Sequence, residues 1–251
     1  MARDHADQRG SVALVTGASR GIGRAIALRL AAGGLAVGVG YHRERAAAEA
    51  VRDEIRGAGG SAVAMGGDLA EVGTAEAMVE CVEEELGPVD VLVSNAGTAV
   101  SRSLEQLDVA EWDRTMNAHL RAAFLLVQRV APEMQRRGRG RIVVISSVAA
   151  FSGGIVGPHY TAAKAGQLGL VRSLSGSLAP HGITVNAVAP ALVDTGMLAQ
   201  LDGGHRARLA GRIPAGRFGR PGEVAEVVWT VVGNGYLTGQ TISVDGGLHP
   251  R

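Results

Sequence analysis

Residues 11–32 read SVALVTGASRGIGRAIALRLAA. The opening SVALVT is an apolar run too short for a helix, and it reads as a strand buried on both faces. From Ile22 to Ala32, apolar residues at 22, 26 and 30 and at 25 and 28 follow helical spacing. Between the two lies TGASRGIG, with glycines at 17, 21 and 23. Glycine permits positive φ and close backbone approach, and a helix start offers free N–H groups and a positive dipole end to a pyrophosphate. The spacing is GxxxGxG rather than the GxGxxG dinucleotide fingerprint. It is the strand–turn–helix context that favours a phosphate site over a plain tight turn.

The same alternation continues along the chain. Strands are expected at Leu35–Tyr41, Ala62–Gly66, Val89–Ser94, Arg141–Ser146, Ile183–Ala189 and Gln240–Val244. Helices are expected at Arg45–Gly57, Thr74–Leu86, Glu105–Arg137 (bent near Asn117), His159–Ala179 and Glu223–Val232. Regular alternation implies parallel strands joined by right-handed crossovers, with helices on both faces. The fold class is therefore α/β: a single doubly wound Rossmann domain over residues 11–251, with a mostly parallel seven-stranded sheet. Residues 1–10, MARDHADQRG, are polar and read as a disordered tail. Residues 191–216 carry no clear helix or strand signal and read as a mobile substrate lid. Ligands of such sheets bind beyond the carboxyl ends of the strands.

The 251 residues carry 25 basic and 24 acidic side chains, so charge gives no case for nucleic acid. No apolar run reaches the ~18 residues of a membrane span. One cysteine, Cys81, excludes an internal disulfide framework and fits a reducing, cytoplasmic setting. Of the 25 basic residues, 24 are arginine and one is lysine, Lys164. That exception points to a place where a compact ammonium cannot give way to a planar guanidinium. Tyr160 lies four residues earlier on the same expected helix face. An adjacent ammonium would lower the phenol pKa from its ordinary ~10, which makes Tyr160 a candidate proton donor. A surface tyrosine beside a solvated lysine is the plainer alternative.

TGASRGIG, Asp68-Leu69, Asn95-Ala96-Gly97, Ser147, Tyr160 and Lys164 fall in order at the ends of successive elements. In this the chain resembles the short-chain dehydrogenase/reductase family from about residue 11 to residue 248. It is most similar within that family to 3-oxoacyl-(acyl-carrier-protein) reductases and polyketide ketoreductases. The resemblance implies a catalytic set of Asn117, Ser147, Tyr160 and Lys164, with no metal. Ser147 would bind the substrate oxygen, with Ser146 as its competitor for that place. Asn117 would hold a water beside the lysine, or merely cap a helix. The implied cofactor contacts are Gly17, Ser19, Arg20, Gly21, Ile22, Gly23, His42, Arg43, Asp68, Leu69, Asn95, Ala96, Gly97, Tyr160, Lys164, Pro190, Val193 and Thr195.

The second strand ends in Tyr41-His42-Arg43, without the acid that binds a ribose 2′-OH, which favours NADP(H). Pro190 is followed by Ala191, where relatives commonly have glycine. The resemblance further implies NADPH-dependent reduction of a small or carrier-bound ketone to a secondary alcohol, in a homotetramer. Oxidative action on an alcohol or sugar, and a non-catalytic cofactor-binding regulator, stand as alternatives. The basic run 135–141, QRRGRGR, is read as a solvated helix end or as a contact for an acyl carrier protein.

Overall fold

The computed structural model describes residues 8–196 and 203–250. Seven strands form one sheet in the order β3-β2-β1-β4-β5-β6-β7, every pairing parallel. They are β1 (Val12–Val15), β2 (Ala36–Tyr41), β3 (Ala62–Gly66), β4 (Val89–Ser94), β5 (Gly140–Ile145), β6 (Ile183–Pro190) and β7 (Thr241–Val244). The intervening helices are α1 (Gly21–Ala32), α2 (Arg45–Gly57), α3 (Thr74–Leu86), α4 (Val109–Met116), α5 (Ala122–Arg137), α6 (Ala149–Ser152), α7 (Pro158–Leu178), α8 (Gly203–Gly211) and α9 (Pro221–Gly233).

Alternation within the strands divides the core into two layers. Ala13 and Val15 of β1 point with Val37, Val91 and Val143 toward α1, α2 and α9, where Ile26, Leu30, Val51, Val228 and Val232 meet them. Val12 and Leu14 point with Leu92, Ile142 and Val185 toward α3, α5 and α7, against Val79, Leu126, Met134, Leu168 and Val171. A strand covered on both faces needs apolar side chains at every position, which is why β1 reads as a continuous run. The strand order reverses between β1 and β4, so the loops after these two strands diverge and open a crevice at their carboxyl ends.

Three expectations change. The long helix begins at Val109 rather than Glu105, because the Asp108 carboxylate accepts the Glu111 N–H at 2.7 Å and caps it there. Its expected bend is a π-helical turn, Asn117–Arg121, between α4 and α5. The segment read as structureless contains α8, while Leu192, Leu209, Ile213 and Phe218 pack together and Val193 bridges to Gly219. Residues 197–202 of that expected lid lie outside the described residues. So do residues 1–7 of the expected tail, whereas Gln8 is buried and Gly10 donates its N–H to Gly34 O at 3.0 Å.

The basic run 135–141 is not a free patch. Arg137 and Arg139 pair with Asp90 at 2.6 and 3.0 Å, and Arg141 is buried on the carbonyls of Gly140 and Val232. These contacts tie the amino ends of β4 and β5, at the end of the sheet opposite the crevice.

Candidate active site

The loop after β1 is held from beneath. Asn95 donates its side-chain amide to Thr16 O at 2.9 Å and Gly17 O at 3.1 Å, while Thr16 Oγ1 accepts the N–H groups of Asn95 and Ala96. Gly23 sits so close to this loop that a Cβ would lie 2.1 Å from Gly17 O. Only glycine fits there, and the contact draws the start of α1 under the turn. Arg20, the N-cap of α1, makes no capping bond, and the first turn holds no acid. The helix start is therefore left open for an external anion.

A cleft of about 440 Å³ runs from this turn across the carboxyl ends of β1, β2, β3 and β4. Gly17, Ser19, Arg20, His42, Arg43, Asp68, Leu69, Asn95, Ala96 and Gly97 line it, so ten of the expected contacts share one cavity. Gly21, Ile22 and Gly23 lie at the start of α1 behind them. Gly21 stands against Thr195, whose Cγ2 would be 3.3 Å from an added Cβ. Pro190 ends β6, and Val193 is buried at its bridge to Gly219. Ala191 keeps a negative φ, so its substitution for glycine brings no backbone strain.

The cleft also holds Arg114, which sequence reading missed. Its guanidinium meets Asp68 at 3.0 Å, with His42 on the same carboxylate oxygen at 3.4 Å. Burial alone would raise the Asp68 pKa. The Ala70 N–H, Arg114 and His42 outweigh it and hold the carboxyl below its ordinary range. Arg114 lies on the exposed face of an amphipathic helix, where only its distance from Asp68 in space marks it out.

At the far end, α7 presents Tyr160 and Lys164 on one face, as expected. Lys164 is fully buried beneath the ring, its Nζ 5.6 Å from the Tyr160 centroid and donating to Ile145 O at 2.8 Å. The Ser147 hydroxyl lies toward the Tyr160 phenol and favours its ionised form. The neighbouring Ser146 is buried and donates its hydroxyl to Lys164 O at 2.9 Å, so Ser147 alone of the two faces the phenol.

The electrostatics differ from the expectation. Burial raises the phenol pKa, opposed only in part by the Ser147 bond, and burial also depresses the lysine to about 7. The anticipated lowering of the phenol is absent because burial outweighs the one group that opposes it, Ser147. Tyr160 therefore remains a protonated phenol at neutral pH.

Asn117 does not join this group. It lines a groove with Leu120, Phe124, Gly166, Gly169 and Leu170. Positions 166, 169 and 170 lie on the face of α7 away from 160 and 164. The residue beside the pair is His119, two positions on, with its ring edge-on to Tyr160 at 5.5 Å between centroids. Asn117 is singled out by what the family resemblance implies. Phase would have found His119, which falls in step with the buried Thr115, Ala122 and Leu126.

The sequence profile of the short chain dehydrogenase family matches residues 11–205. The chain belongs to that family. It is 39% identical over 239 residues to the 3-oxoacyl-(acyl-carrier-protein) reductase of Staphylococcus aureus, covering 94% of this chain and 97% of that protein. The enzyme of the same name from Synechocystis is 38% identical over 240 residues, covering 94% and 96%. Nodulation protein G of Azospirillum brasilense is 37% identical over 240 residues, covering 95% and 98%. The chain is thus an oxidoreductase of the short-chain type, most similar to 3-oxoacyl-(acyl-carrier-protein) reductases. Among the described residues no group of histidine, cysteine and acidic side chains could hold a metal, and no helix is long and apolar enough to cross a membrane.

Proposed function

We propose that this protein reduces the ketone of a 3-oxoacyl thioester, or a related polyketide-type ketone, to a secondary alcohol at the expense of NADPH. The observation that carries the reading is the protonated, half-buried Tyr160 beside Ser147 and backed by Lys164 at the end of an anion-ready cleft. The nicotinamide, when bound, supplies the hydride. Ser147 Oγ and Tyr160 Oη hold the carbonyl oxygen, and Tyr160 gives its proton as negative charge develops there. Ser147 Oγ is itself oriented by the Ala149 N–H at 3.1 Å. In its protonated form, held below a pKa of about 7, Lys164 places positive charge beneath the phenol and favours proton release. A phenol held protonated suits donation to an alkoxide.

The glycine turn, the open start of α1, Asp68-Leu69 and the Asn95–Gly97 loop would hold the dinucleotide. Pro190, Val193 and Thr195 would bound its nicotinamide end. Support for NADPH over NADH lies at the end of β2. His42 is engaged by Asp68, but Arg20 and Arg43 line the cleft with no ion pair among the described residues. Two such guanidiniums suit a 2′-phosphate. Changing Arg43 to Ala should raise the KM for NADPH about tenfold, the loss of one exposed charge-assisted bond, and leave that for NADH within about twofold. Initial rates with each cofactor check this, and equal effects on both would refute the assignment.

The names of the relatives support an acyl-carrier-protein-bound substrate, and the proposed working form is a cytoplasmic homotetramer whose segment 191–216 covers the substrate. Consumption of NADPH with acetoacetyl thioesters, cyclic diketones and small ketones tests the function. No turnover with any of them would overturn it.

A further inference from the structure

The loop after β3 carries Asp68, Leu69 and Ala70, and two arginines grip it from across the cleft. Arg114 of α4 donates from Nη2 to Asp68 Oδ2 at 3.0 Å, and Arg121 donates from Nη2 to Ala70 O. The loop is also held from within. Asp68 Oδ1 accepts the Ala70 N–H at 3.0 Å, Asp68 O accepts the Glu71 N–H at 2.9 Å, and Gly67 donates its N–H to Tyr41 O at 2.9 Å. The backbone of the loop therefore has its shape without Arg114. What Arg114 fixes is the outer carboxylate oxygen, since His42 Nε2 stands 3.4 Å from it, beyond a good hydrogen bond.

A carboxylate offers about four acceptor sites. Ala70 takes one on Oδ1 and Arg114 takes one on Oδ2. Asp68 lines the cleft with its side chain 22% exposed, so acceptor capacity remains toward the cavity. Leu69 beside it is buried and adds an apolar wall. Arg20 and Arg43, the groups suited to phosphates, lie at the glycine turn and the end of β2. Beyond them the cleft ends in a fixed acceptor next to an apolar surface. That chemistry takes a flat base carrying an exocyclic amino donor.

We propose that Arg114 is a specificity-determining positioning residue: by fixing Asp68 Oδ2 from α4, it makes the base end of the cofactor cleft accept an aminopurine and reject an oxopurine. The inference rests on the dinucleotide reading above and names what sets its base selectivity.

An ionised carboxylate can only accept. Against burial, the Ala70 N–H, the Arg114 guanidinium and His42 hold Asp68 in that form, below its ordinary carboxyl range. An exocyclic amine donates to it. An oxo group in the same place sets lone pairs against the carboxylate, and neither side supplies a proton. A loosened carboxylate can turn away from that mismatch, whereas one pinned on both oxygens cannot. Fixed placement is what turns a hydrogen bond into discrimination. Arg114 acts here through Asp68 alone, so its effect must vanish when Asp68 is neutral. A guanidinium bound directly to the cofactor phosphates is the rival role, and it predicts losses blind to the base.

The test measures dissociation constants by cofactor fluorescence for NADPH, NADH and the hypoxanthine analogue of each, in which an oxo group replaces the adenine amine. Wild type should bind the adenine forms about tenfold more tightly, with or without the 2′-phosphate. Arg114→Leu should weaken NADPH and NADH alike by about fivefold and leave both hypoxanthine forms within about twofold. The retained hypoxanthine affinity is also the control for folding. Asp68→Asn should abolish the preference, and adding Arg114→Leu to it should change no constant by more than about twofold.

Equal losses for adenine and hypoxanthine forms in Arg114→Leu would overturn the proposal. So would a loss that persists in the Asp68→Asn background, or a wild type indifferent to the base. None of these measurements needs turnover. Adenine preference in a protein that reduces no ketone would fell the reductase reading and leave this inference standing. A wild type that binds neither dinucleotide would overturn both.

Discussion

Tyr160→Phe should lower ketone reduction by about a thousandfold while leaving NADPH affinity within about threefold. General acid catalysis by a placed side chain contributes roughly 10²–10⁴, and here one phenol serves both as acid and as hydrogen-bond donor to the developing oxyanion. Phenylalanine keeps what the ring does structurally. It still packs edge-on against His119 and still covers Lys164. Only the hydroxyl is lost. Ser147 keeps its bond from the Ala149 N–H, so no buried group is stranded and stability should change by less than about 1 kcal/mol. The effect should therefore fall on kcat, not on folding or cofactor binding. Initial rates, a cofactor fluorescence titration and a denaturant melt together separate these. Turnover within tenfold of wild type would remove Tyr160 from the role of proton donor.

How the sequence displayed this site explains both its clear and its obscure parts. The helices α2 and α3 have the ends expected of them, because their periodicity stops at glycines or charge. The glycine turn was readable because Gly23 is required by a backbone approach that no other residue permits. The solitary lysine was readable because burial forbids its substitute. A guanidinium brings five donors and a permanent charge to a place where the amine donates to one carbonyl, that of Ile145.

Two features were hidden for different reasons. The helix α8, GGHRARLAG, has two glycines in its first turn and only a small apolar face. What holds the segment is Ile213 and Phe218, beyond its end, packing with Leu192 and Leu209. His119 was hidden because the family resemblance pointed to Asn117, whereas rotation about the helix decides which side chain faces the pair. A π turn adds to the difficulty, since it changes the rotation per residue where the distinction matters.

Lys164→Met should abolish most activity and yet stabilise the fold. The amine titrates at about 7 in the folded chain against its ordinary 10.5. Between those values the unfolded chain binds the extra proton, so wild-type stability should rise with pH from about 7 toward 10.5. Below 7 the charge is held in both states, and the folded protein bears the full cost of burying it. At one pKa unit per 1.36 kcal/mol, and allowing about 1 kcal/mol for the lost bond to Ile145 O, methionine should add on the order of 2–4 kcal/mol at pH 6. The gain should shrink as pH rises, because above 7 the wild type no longer carries the buried charge. Kinetically, removing the cation beneath the phenol should lower kcat by at least about 100-fold, with Tyr160 still protonated but less able to release its proton. Urea unfolding at pH 6 and pH 9 measures the first effect, and initial rates measure the second. A variant less stable than wild type at pH 6 would show that the lysine is retained for structure. A variant both more stable and inactive would show that the chain keeps a costly buried amine because the reaction requires it.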